Sequence, residues 1–182
     1  MNQNTGVHRK LWNESGMDED PKWRRGVDEL FRYYIGGPIV DCGCGRRPSH
    51  PRAVTIDTYE GPDAWYPREV VAPHFVMGFE KLPFKDGTIG FITSIDSIEH
   101  TKYPIATLEE WVRCLMPGGR IAMLVPDPRY VPHGNRYQHG HENMWTPKQF
   151  MSTARMIDNI EIKRCEEYNE WWFIAVLEKV ET

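Results

Sequence analysis

The sequence predicts an α/β protein with a three-layer, doubly wound sheet that is mostly parallel and ends in a C-terminal antiparallel hairpin. The first observation is the alternation of strand-like and helix-like segments, which is typical of a sheet covered on both faces. The second is the unbroken apolar run at 121–125, as in a strand buried on both faces. The third is a pair of strand-like segments, 160–165 and 171–177, joined by a short turn and therefore antiparallel.

Length and composition limit the class of protein. The 182 residues are enough for one domain with a substantial core, and we expect a mobile leader at 1–20 and a single domain at 21–182. The net charge of −4 argues against a nucleic-acid partner, and no run approaches the roughly 18 apolar residues of a membrane helix. The four cysteines form no disulfide pattern, so the cytoplasm is the expected compartment.

The first predicted helix begins at Pro21 and ends before Gly36-Gly37. Proline is favoured at the first helical position, and a glycine pair ends a helix. We expect the apolar stripe of this helix to cover one face of the sheet, with Trp12 and Trp23 as alternative parts of a lid. The stripe consists of Trp23, Val27, Leu30, Phe31 and Tyr34.

The first predicted strand, at 38–41, is followed by Gly43 and Gly45. Neither glycine has a Cβ, so the main chain there can adopt a positive φ and lie against a bound molecule. Asp41 is expected at the carboxyl end of this strand, where open α/β sheets bind ligands. Cys42 and Cys44 are too few for a zinc site without His50, and we interpret them as small residues beside the ligand.

The second predicted strand, at 53–57, ends in Asp57. Only residues 42–52 connect it to the first strand, and Pro48 and Pro51 are incompatible with a regular helix there. Parallel crossovers usually take a dozen or more residues and a helix, so the crossover helix is predicted to be missing. Asp57 is a candidate for binding a ribose diol, the alternative being a solvated turn carboxylate.

The remaining elements follow from periodicity and turn signals. The proline-containing segment 59–73 is predicted to be irregular. Thr146 and Gln149 form a capping-box pattern, which predicts a helix that reaches about Ile157. The other predicted elements are a short strand at 74–77, a strand at 89–95 closing on Asp96, a helix from Pro104 to the breakers at 116–119, a strand at 121–125 and a loop at 126–145.

Five segments, in this order along the chain, resemble the motifs of class I S-adenosylmethionine-dependent methyltransferases, in a short variant that lacks the first crossover helix. The segments are Val40–Gly45, Asp57, Glu80–Phe84, Ile98–His100 and Leu115–Gly119. The resemblance covers about residues 37–127, with weaker agreement to the C-terminus. It implies a seven-stranded sheet of order 3-2-1-4-5-7-6, with strand seven antiparallel, and S-adenosylmethionine as the cofactor.

The resemblance also implies where the cofactor lies. Its methionine part would lie over Gly43 and Gly45, its ribose on Asp57 and its adenine against Phe79 and Leu82. The cofactor-binding residues carried over from the motifs are Asp41, Cys42, Gly43, Cys44, Gly45, Arg46, Asp57, Thr58, Gly78, Phe79, Leu82 and Ser94.

Two positions depart from the pattern of the family. Arg47 stands where the family usually has a third glycine, and Gly78 stands where it usually has an acid before the adenine loop. The missing crossover helix also removes a helix N-terminus from the neighbourhood of the cofactor's carboxylate. By hypothesis, Arg46 or Arg47 replaces that positive charge; a solvated arginine pair is the alternative.

Asp96 and His100 are the candidate catalytic residues. Asp96 follows the fourth strand, where acceptor-side residues lie in the resembling family, and it could orient an amine or act as a base. Capping of the turn toward His100 is the structural alternative. Histidine side chains ordinarily titrate near neutral pH, so His100 could relay protons, or it could support the loop.

The stretch 133–142 contains three histidines and one glutamate. It follows the fifth strand, where the resembling family recognises the acceptor, so acceptor binding is favoured. A metal site through His139 and His141 and a purely structural loop are the alternatives, and we assign no metal. The predicted substrate-binding residues are Asp127, Arg129, Arg136, Tyr137, His139, His141 and Trp145.

The leading interpretation is therefore a cytoplasmic enzyme that transfers a methyl group from S-adenosylmethionine to a small-molecule acceptor. One alternative is a non-catalytic module that holds a nucleoside ligand or a partner. Another is a different enzyme that acts on the same cofactor. Neither a membrane nor a nucleic acid is an expected partner, and the oligomeric state does not follow from the sequence.

Overall fold

The computed structural model describes residues 21–59, 61–62, 70–130 and 140–181. The strands of the main sheet are β1 (Ile39–Cys42), β2 (Val54–Asp57), β3 (Phe75–Val76), β4 (Ile89–Ile95), β5 (Leu115–Pro126), β6 (Ile160–Glu167) and β7 (Trp172–Lys179). The α-helices are α1 (Pro21–Leu30), α2 (Pro104–Cys114) and α3 (Pro147–Ala154), and 3-10 turns occupy Phe31–Tyr33 and Ile98–His100. The leader predicted at 1–20 lies outside the described residues and stays a prediction.

The seven strands lie in the order β3-β2-β1-β4-β5-β7-β6. The pairings of β1 with β2 and with β4 are parallel, whereas β7 is antiparallel to both β5 and β6. The predicted strand order and the terminal hairpin are confirmed. Since parallel strands end at the same edge of a sheet, the ends of β1, β2, β4 and β5 lie side by side, and they carry Asp41, Asp57, Asp96 and Asp127.

Helices cover both faces of the sheet, which makes the three predicted layers. Along β5, Leu124 packs in one cluster with Leu30 of α1, whereas its neighbours Met123 and Val125 pack in a second cluster. Alternate residues of a strand face opposite sides, so the two clusters lie on opposite faces. The second cluster includes Leu108 and Trp111 of α2 and Phe150 and Ala154 of α3.

The connection between β1 and β2 contains no helix, as predicted. Residues 43–53, all of them described, form turns in which the Arg47 amide donates to the Cys44 carbonyl oxygen at 3.3 Å and the Ala53 amide donates to the His50 carbonyl oxygen at 3.0 Å. The loop that follows β1 therefore remains close to the edge where β2 ends.

The fifth strand begins earlier than the predicted residue 121, and α2 ends at Cys114, before the predicted breakers. Leu115 pairs with Ile89, and after a register shift Arg120 pairs with Phe91. The Pro117-Gly118-Gly119 sequence lies in the resulting irregularity, with Gly118 at a φ of +73°. The sequence-based boundary is wrong because proline and glycine, which stop a helix, are tolerated in a sheet at such a bulge.

The segment predicted to be irregular contains a small second sheet. Gly61–Pro62 and Val70–Val71 form two antiparallel strands of two residues each, which corrects the expectation for 59–73. Strands this short are set by local pairing and leave no alternating pattern in the sequence.

The helices of the described residues are short. The longest, α2, has 11 residues, and none in this part of the chain has the length and apolar character needed to cross a bilayer. The capping box of α3 is confirmed: the Gln149 amide donates to Thr146 Oγ1, and the Thr146 amide donates to Gln149 Oε1 at 2.9 Å. The helix ends at Ala154, three residues before the predicted Ile157.

Candidate functional site

The ends of β1 and β2 are joined by a hydrogen bond between main chain and carboxylate. The Gly45 amide donates to Asp57 Oδ2 at 2.9 Å, and the Tyr59 amide donates to Asp57 Oδ1 at 3.2 Å. Gly45 has a φ of +50°, and a Cβ built on it would have no atom of the described residues within 4 Å. A partly exposed carboxylate and an open stretch of main chain thus lie next to each other at this edge of the sheet.

Asp41, by contrast, is buried and uses its carboxylate within the protein. The Ser49 amide donates to Asp41 Oδ2 at 2.6 Å, and Thr93 Oγ1 donates to Asp41 Oδ1 at 3.2 Å. Burial raises the pKa of Asp41 to about 6, although both hydrogen bonds act in the opposite direction. Asp41 therefore ties the short crossover to β1 and β4, and a direct ligand contact would require an exchange of these hydrogen bonds.

A glycine is required at position 43 because the Ser97 side chain lies where a Cβ would be. A Cβ on Gly43, whose φ is +74°, would collide with the Ser97 side chain. Ser97 Oγ lies 3.0 Å from the Gly43 carbonyl oxygen and 2.8 Å from the Ile95 carbonyl oxygen, so this hydroxyl connects the ends of β1 and β4. The two glycines of the motif consequently differ: Gly43 leaves room for Ser97, and Gly45 faces open space.

The amides of this turn donate to protein atoms. Those of Gly43 and Cys44 both reach the Ile56 carbonyl oxygen, at 2.8 Å and 3.2 Å. A ligand over the turn would therefore meet Cα and carbonyl groups. Cys42 and Cys44 are buried thiols whose pKa values are raised by burial, that of Cys44 to about 12. They are neutral at physiological pH, which favours the interpretation as small packing residues.

The residues predicted on the adenine side are largely packed. Phe79 and Leu82 are 8% and 4% exposed, and the Phe79 ring lies edge-on to Trp111, whose Nε1 donates to the Phe79 carbonyl oxygen at 2.8 Å. The Leu82 amide donates to Glu110 Oε1 at 2.8 Å. Gly78 precedes Phe79 and is partly exposed. The adenine side is therefore a rigid wall whose side chains already contact the core.

Three further predicted cofactor residues lie around this edge. Thr58 is exposed directly after Asp57, and Arg46 is half-buried directly after Gly45. Ser94 is 1% exposed near the end of β4, and its Oγ has no hydrogen-bond partner among the described residues. A buried hydroxyl of this kind normally finds a partner, so Ser94 marks a place where a polar ligand atom or water would be stabilised.

Asp96 occupies a strained position at the end of β4. Its φ of +49° is uncommon for a residue other than glycine. The residue is exposed overall, yet its carboxyl turns inward, and Trp172 Nε1 donates to Oδ1 at 2.5 Å. Burial of the carboxyl raises the pKa of Asp96 to about 7, against the effect of the Trp172 bond. A carboxyl with this pKa can exchange a proton near neutral pH.

The structure brings the predicted residues His100 and His141 together around Glu99. Their rings are 4.8 Å apart and nearly perpendicular, and their Nε2 atoms lie 3.7 Å and 3.9 Å from Glu99 Oε1. Glu99 is 1% exposed, and its pKa is raised well above the usual range by burial and, to a smaller extent, by the charge of Asp96.

Some of the predicted acceptor residues after β5 contact other residues of the protein, and others lie outside the described residues. Asp127 is fully buried and accepts from the Arg129 guanidinium at 2.6 Å, and the same guanidinium lies 3.0 Å from Glu167. Trp145 is 9% exposed and packs edge-on to Phe150 in the core. Both arrangements are structural contacts. Arg136, Tyr137 and His139 lie outside the described residues, so their acceptor role stays a prediction.

Sequence reasoning gave no role to Ser97, Glu99 or Trp172. Ser97 and Glu99 lie next to the candidates at 96 and 100, and Glu99 also belongs to the segment Ile98–His100 that resembles a family motif. Trp172 is 76 positions from the Asp96 that it contacts. Only the pairing of β7 with β5 brings its ring to this edge.

Comparisons with known proteins agree with the fold. Residues 40–123 match the family model described as "Methyltransferase domain". A search of curated proteins finds no match. Similar solved structures include one from the complex of the Haloferax volcanii Trm112 methyltransferase activator with a methyltransferase, at 16% identity, 97% coverage of both chains and a TM-score of 0.65.

Two other structures are similar at comparable levels. An S-adenosylmethionine-dependent methyltransferase from Mesorhizobium loti has 14% identity, covers 90% of this chain and 100% of its own, and gives a TM-score of 0.66. Geranyl diphosphate C-methyltransferase from Streptomyces coelicolor, in complex with Mg²⁺, geranyl diphosphate and S-adenosyl-L-homocysteine, has 13% identity, coverage of 91% and 85%, and a TM-score of 0.60.

The strand order, the edge built from β1, β2 and β4 and these likenesses define the class: a Rossmann-like α/β protein with the class I S-adenosylmethionine-dependent methyltransferase fold. Within that class, residues 40–123 are similar to the family of methyltransferase domains.

Proposed function

We propose that this protein transfers the methyl group of S-adenosylmethionine to a small-molecule acceptor. The observation that carries the proposal is the pairing of Gly45 with Asp57: open main chain at the end of β1 lies beside a partly exposed carboxylate at the end of β2. The ribose of a sulfonium nucleoside carries two neighbouring hydroxyl groups, and one carboxylate can accept hydrogen bonds from both.

The residues at this edge fit such a cofactor. Asp57 would accept the ribose hydroxyls, and Gly45 would leave room for the part of the cofactor that bears the sulfur. Arg46 and Arg47 follow directly and would supply positive charge for the cofactor's carboxylate, since the short crossover has no helix N-terminus to do so. The Arg47 guanidinium lies 5.9 Å from the centre of the Trp23 ring on α1, which would hold it at one side of the site.

Asp96 is the acceptor-side residue in this proposal. When bound, the cofactor supplies an electrophilic methyl group, and the protein must place a nucleophile in line behind it. Asp96 would orient the acceptor and take up its proton, for which a pKa of about 7 is well suited. Trp172 would act as a positioning residue because its Nε1–H fixes the carboxyl and stabilises the charged form.

A soluble compartment with reduced thiols, such as the cytoplasm, suits the chain. All four cysteines are free, and three of them are buried. Free buried thiols are ordinary in reducing compartments, where disulfides are rare.

Two alternatives give different results in the same experiment. A module that only holds a nucleoside ligand or a protein partner would bind the cofactor without turnover, and the departures at Arg47 and Gly78 favour it. Another enzyme acting on the cofactor would consume it without forming a methylated product.

The test combines calorimetry and a label. Wild-type protein is titrated with S-adenosylmethionine and S-adenosylhomocysteine, alongside Asp57→Ala and the exposed control Asp158→Ala. Methyl-labelled cofactor is then incubated with pooled small molecules and, separately, with protein and nucleic acid. Binding that depends on Asp57 and label that appears in a small molecule support the proposal. Label in a macromolecule contradicts the acceptor class, and absence of binding to either ligand contradicts the function.

A further inference from the structure

Glu99, His100 and His141 form a cluster at the end of β4 to which the proposed methyl transfer assigns no step. Glu99 and His100 belong to the 3-10 turn after the strand, and His141 belongs to a segment that runs alongside it. Main-chain hydrogen bonds hold the two segments together: the Glu142 and Asn143 amides both donate to the Glu99 carbonyl oxygen at 3.0 Å. Asn143 Nδ2 adds a hydrogen bond to the Thr101 carbonyl oxygen at 2.6 Å.

The Glu99 carboxyl group is buried and poorly satisfied: the Ser97 and Glu99 amides act to lower its pKa, but the effect of burial is larger. Its side chain is 2% exposed, and neither oxygen has a hydrogen-bond partner in the described part of the chain. The nearest imidazole nitrogens, at 3.7 Å and 3.9 Å, are beyond hydrogen-bond distance. Burial of an acid without a partner is costly, so this carboxyl calls for a compensating group.

The two ring nitrogens of His100 have different neighbours, and Nε2 is the one that lies beside Glu99. His100 Nδ1 lies 3.2 Å from the Gly140 carbonyl oxygen. A carbonyl oxygen can only accept, so Nδ1 carries a proton, and Nε2 is the nitrogen that would bind an ion beside Glu99. Histidines that bind metals are commonly held in this way, with the other ring nitrogen donating to a backbone carbonyl.

We propose that Glu99, His100 and His141 bind a divalent transition-metal ion such as Zn²⁺, through one carboxylate oxygen and two imidazole nitrogens. The three donor atoms lie within 4.8 Å of one another. Around a tetrahedral Zn²⁺ with ligand bonds of about 2.0 to 2.1 Å, these donor atoms would be about 3.3 Å apart. Each donor atom would therefore have to move toward the ion by less than about 1 Å. Two nitrogens and one oxygen favour Zn²⁺ over the oxygen-preferring Mg²⁺ and Ca²⁺.

The site has an entry path and an incomplete ligand set. The His100 side chain is 38% exposed and that of His141 is 11% exposed, so an ion can reach Glu99 from the surface. Three protein ligands leave a coordination position for water or another small ligand. The ion would stabilise the ionised form of the buried Glu99 carboxyl and link the end of β4 to the segment at 140–143.

The test measures metal binding without reference to activity. Chelator-stripped protein is titrated with Zn²⁺ and Mg²⁺ by calorimetry, and its melting temperature is recorded with each ion. Co²⁺ is added as a spectroscopic probe. We expect one equivalent of Zn²⁺, a rise in melting temperature that EDTA reverses, visible absorption bands with Co²⁺, and no comparable effect of Mg²⁺.

Substitutions assign the ligands. Removal of a group that only hydrogen-bonds to a metal ligand lowers metal affinity 10- to 100-fold, and removal of a ligand itself costs at least as much. Glu99→Gln and His141→Ala should therefore each weaken Zn²⁺ binding by at least about 100-fold. His100→Ala changes a partly exposed side chain and spares the fold even where Glu99→Gln does not. The matched controls are Glu109→Gln, on the exposed side of α2, and His74→Ala, beside β3 at the far end of the sheet.

The outcomes are distinct. The site is contradicted if wild-type protein binds no Zn²⁺, or if His100→Ala and His141→Ala bind it as tightly as the controls. Either result leaves the proposed methyl transfer untouched, because no residue of this cluster holds the cofactor in that proposal.

Discussion

The Gly45 amide donates a 2.9 Å hydrogen bond to the Asp57 carboxylate, across 12 positions of the chain. This bond joins the first strand to the second at the edge where the cofactor is proposed to bind. Two residues singled out for different reasons, one for its missing side chain and one for its charge, thus belong to one surface.

The first prediction concerns Asp57→Asn. The asparagine keeps an oxygen for the Gly45 amide, so the fold should be retained, but it replaces one acceptor of the ribose hydroxyls by a donor. Hydrogen bonds to charged groups contribute about 1.5–3 kcal/mol, so the affinity for S-adenosylmethionine should fall roughly 10- to 100-fold. Calorimetry measures the loss, with Asp158→Asn as the control, and equal affinities of the two variants would refute the assignment of Asp57.

The second prediction separates the two glycines. Gly43→Ala brings a Cβ into the Ser97 side chain at a positive φ, and overpacking of this kind costs about 1–3 kcal/mol in addition to the strain. Gly45→Ala meets only the strain of a left-handed conformation, about 1–2 kcal/mol. Urea unfolding should therefore find Gly43→Ala the less stable variant.

Cofactor binding by Gly45→Ala completes that comparison. Its new methyl group points into the open space, so this variant should fold and yet bind S-adenosylmethionine more weakly than wild type. A folded Gly45→Ala with wild-type affinity would show that the cofactor does not lie over this residue.

The third prediction uses the buried carboxyl of Asp41. Its pKa is about 6 in the folded protein, against the ordinary value of 3.8 for an aspartate carboxyl, so folding takes up a proton at pH values between the two. The stabilising contribution is complete below about pH 4 and is lost as the pH rises through 6, at about 1.4 kcal/mol per pKa unit or about 3 kcal/mol in total.

Asp41→Asn should abolish that part of the pH dependence. The amide keeps an acceptor for Ser49 and has no proton to lose, so its stability should change less than that of wild type between pH 4 and pH 7. Unfolding curves at several pH values measure this, with Asp158→Asn as the control. Parallel pH profiles for wild type and Asp41→Asn would contradict the raised pKa.

The fourth prediction concerns Trp172 and the pH profile of transfer. The Trp172 hydrogen bond lowers the pKa of Asp96, so Trp172→Phe should raise that pKa above about 7. If Asp96 is the base, the acidic limb of the kcat profile then moves to higher pH. Trp171→Phe, at an exposed neighbouring position, should leave the profile in place. Should both variants keep the wild-type profile, Asp96 would not be the group that takes up the proton.

The elements and their order could be predicted from local signals. Pro21 and the capping box of Thr146 and Gln149 mark helix starts, and the apolar run at 121–125 marks a buried strand. The boundaries of helices and strands were harder to predict where the same residues are compatible with two kinds of structure. The Pro117-Gly118-Gly119 sequence ends a helix by its chemistry and also begins a strand through a bulge, which depends on pairing with Ile89 and Phe91.

The sequence by itself determined the alternation of strands and helices, the absence of the crossover helix and the placement of Gly45 and Asp57 at strand ends, because periodicity, proline and glycine act within a few residues of the chain. The class I strand order followed from the resemblance of its motifs to a known family. Only the tertiary structure decided that Gly43 makes room for Ser97, that Asp41 is buried and that Glu99 lies beside His141. Those contacts join residues that are far apart in sequence. They depend on how strands and loops pack, so no local sequence pattern predicts them.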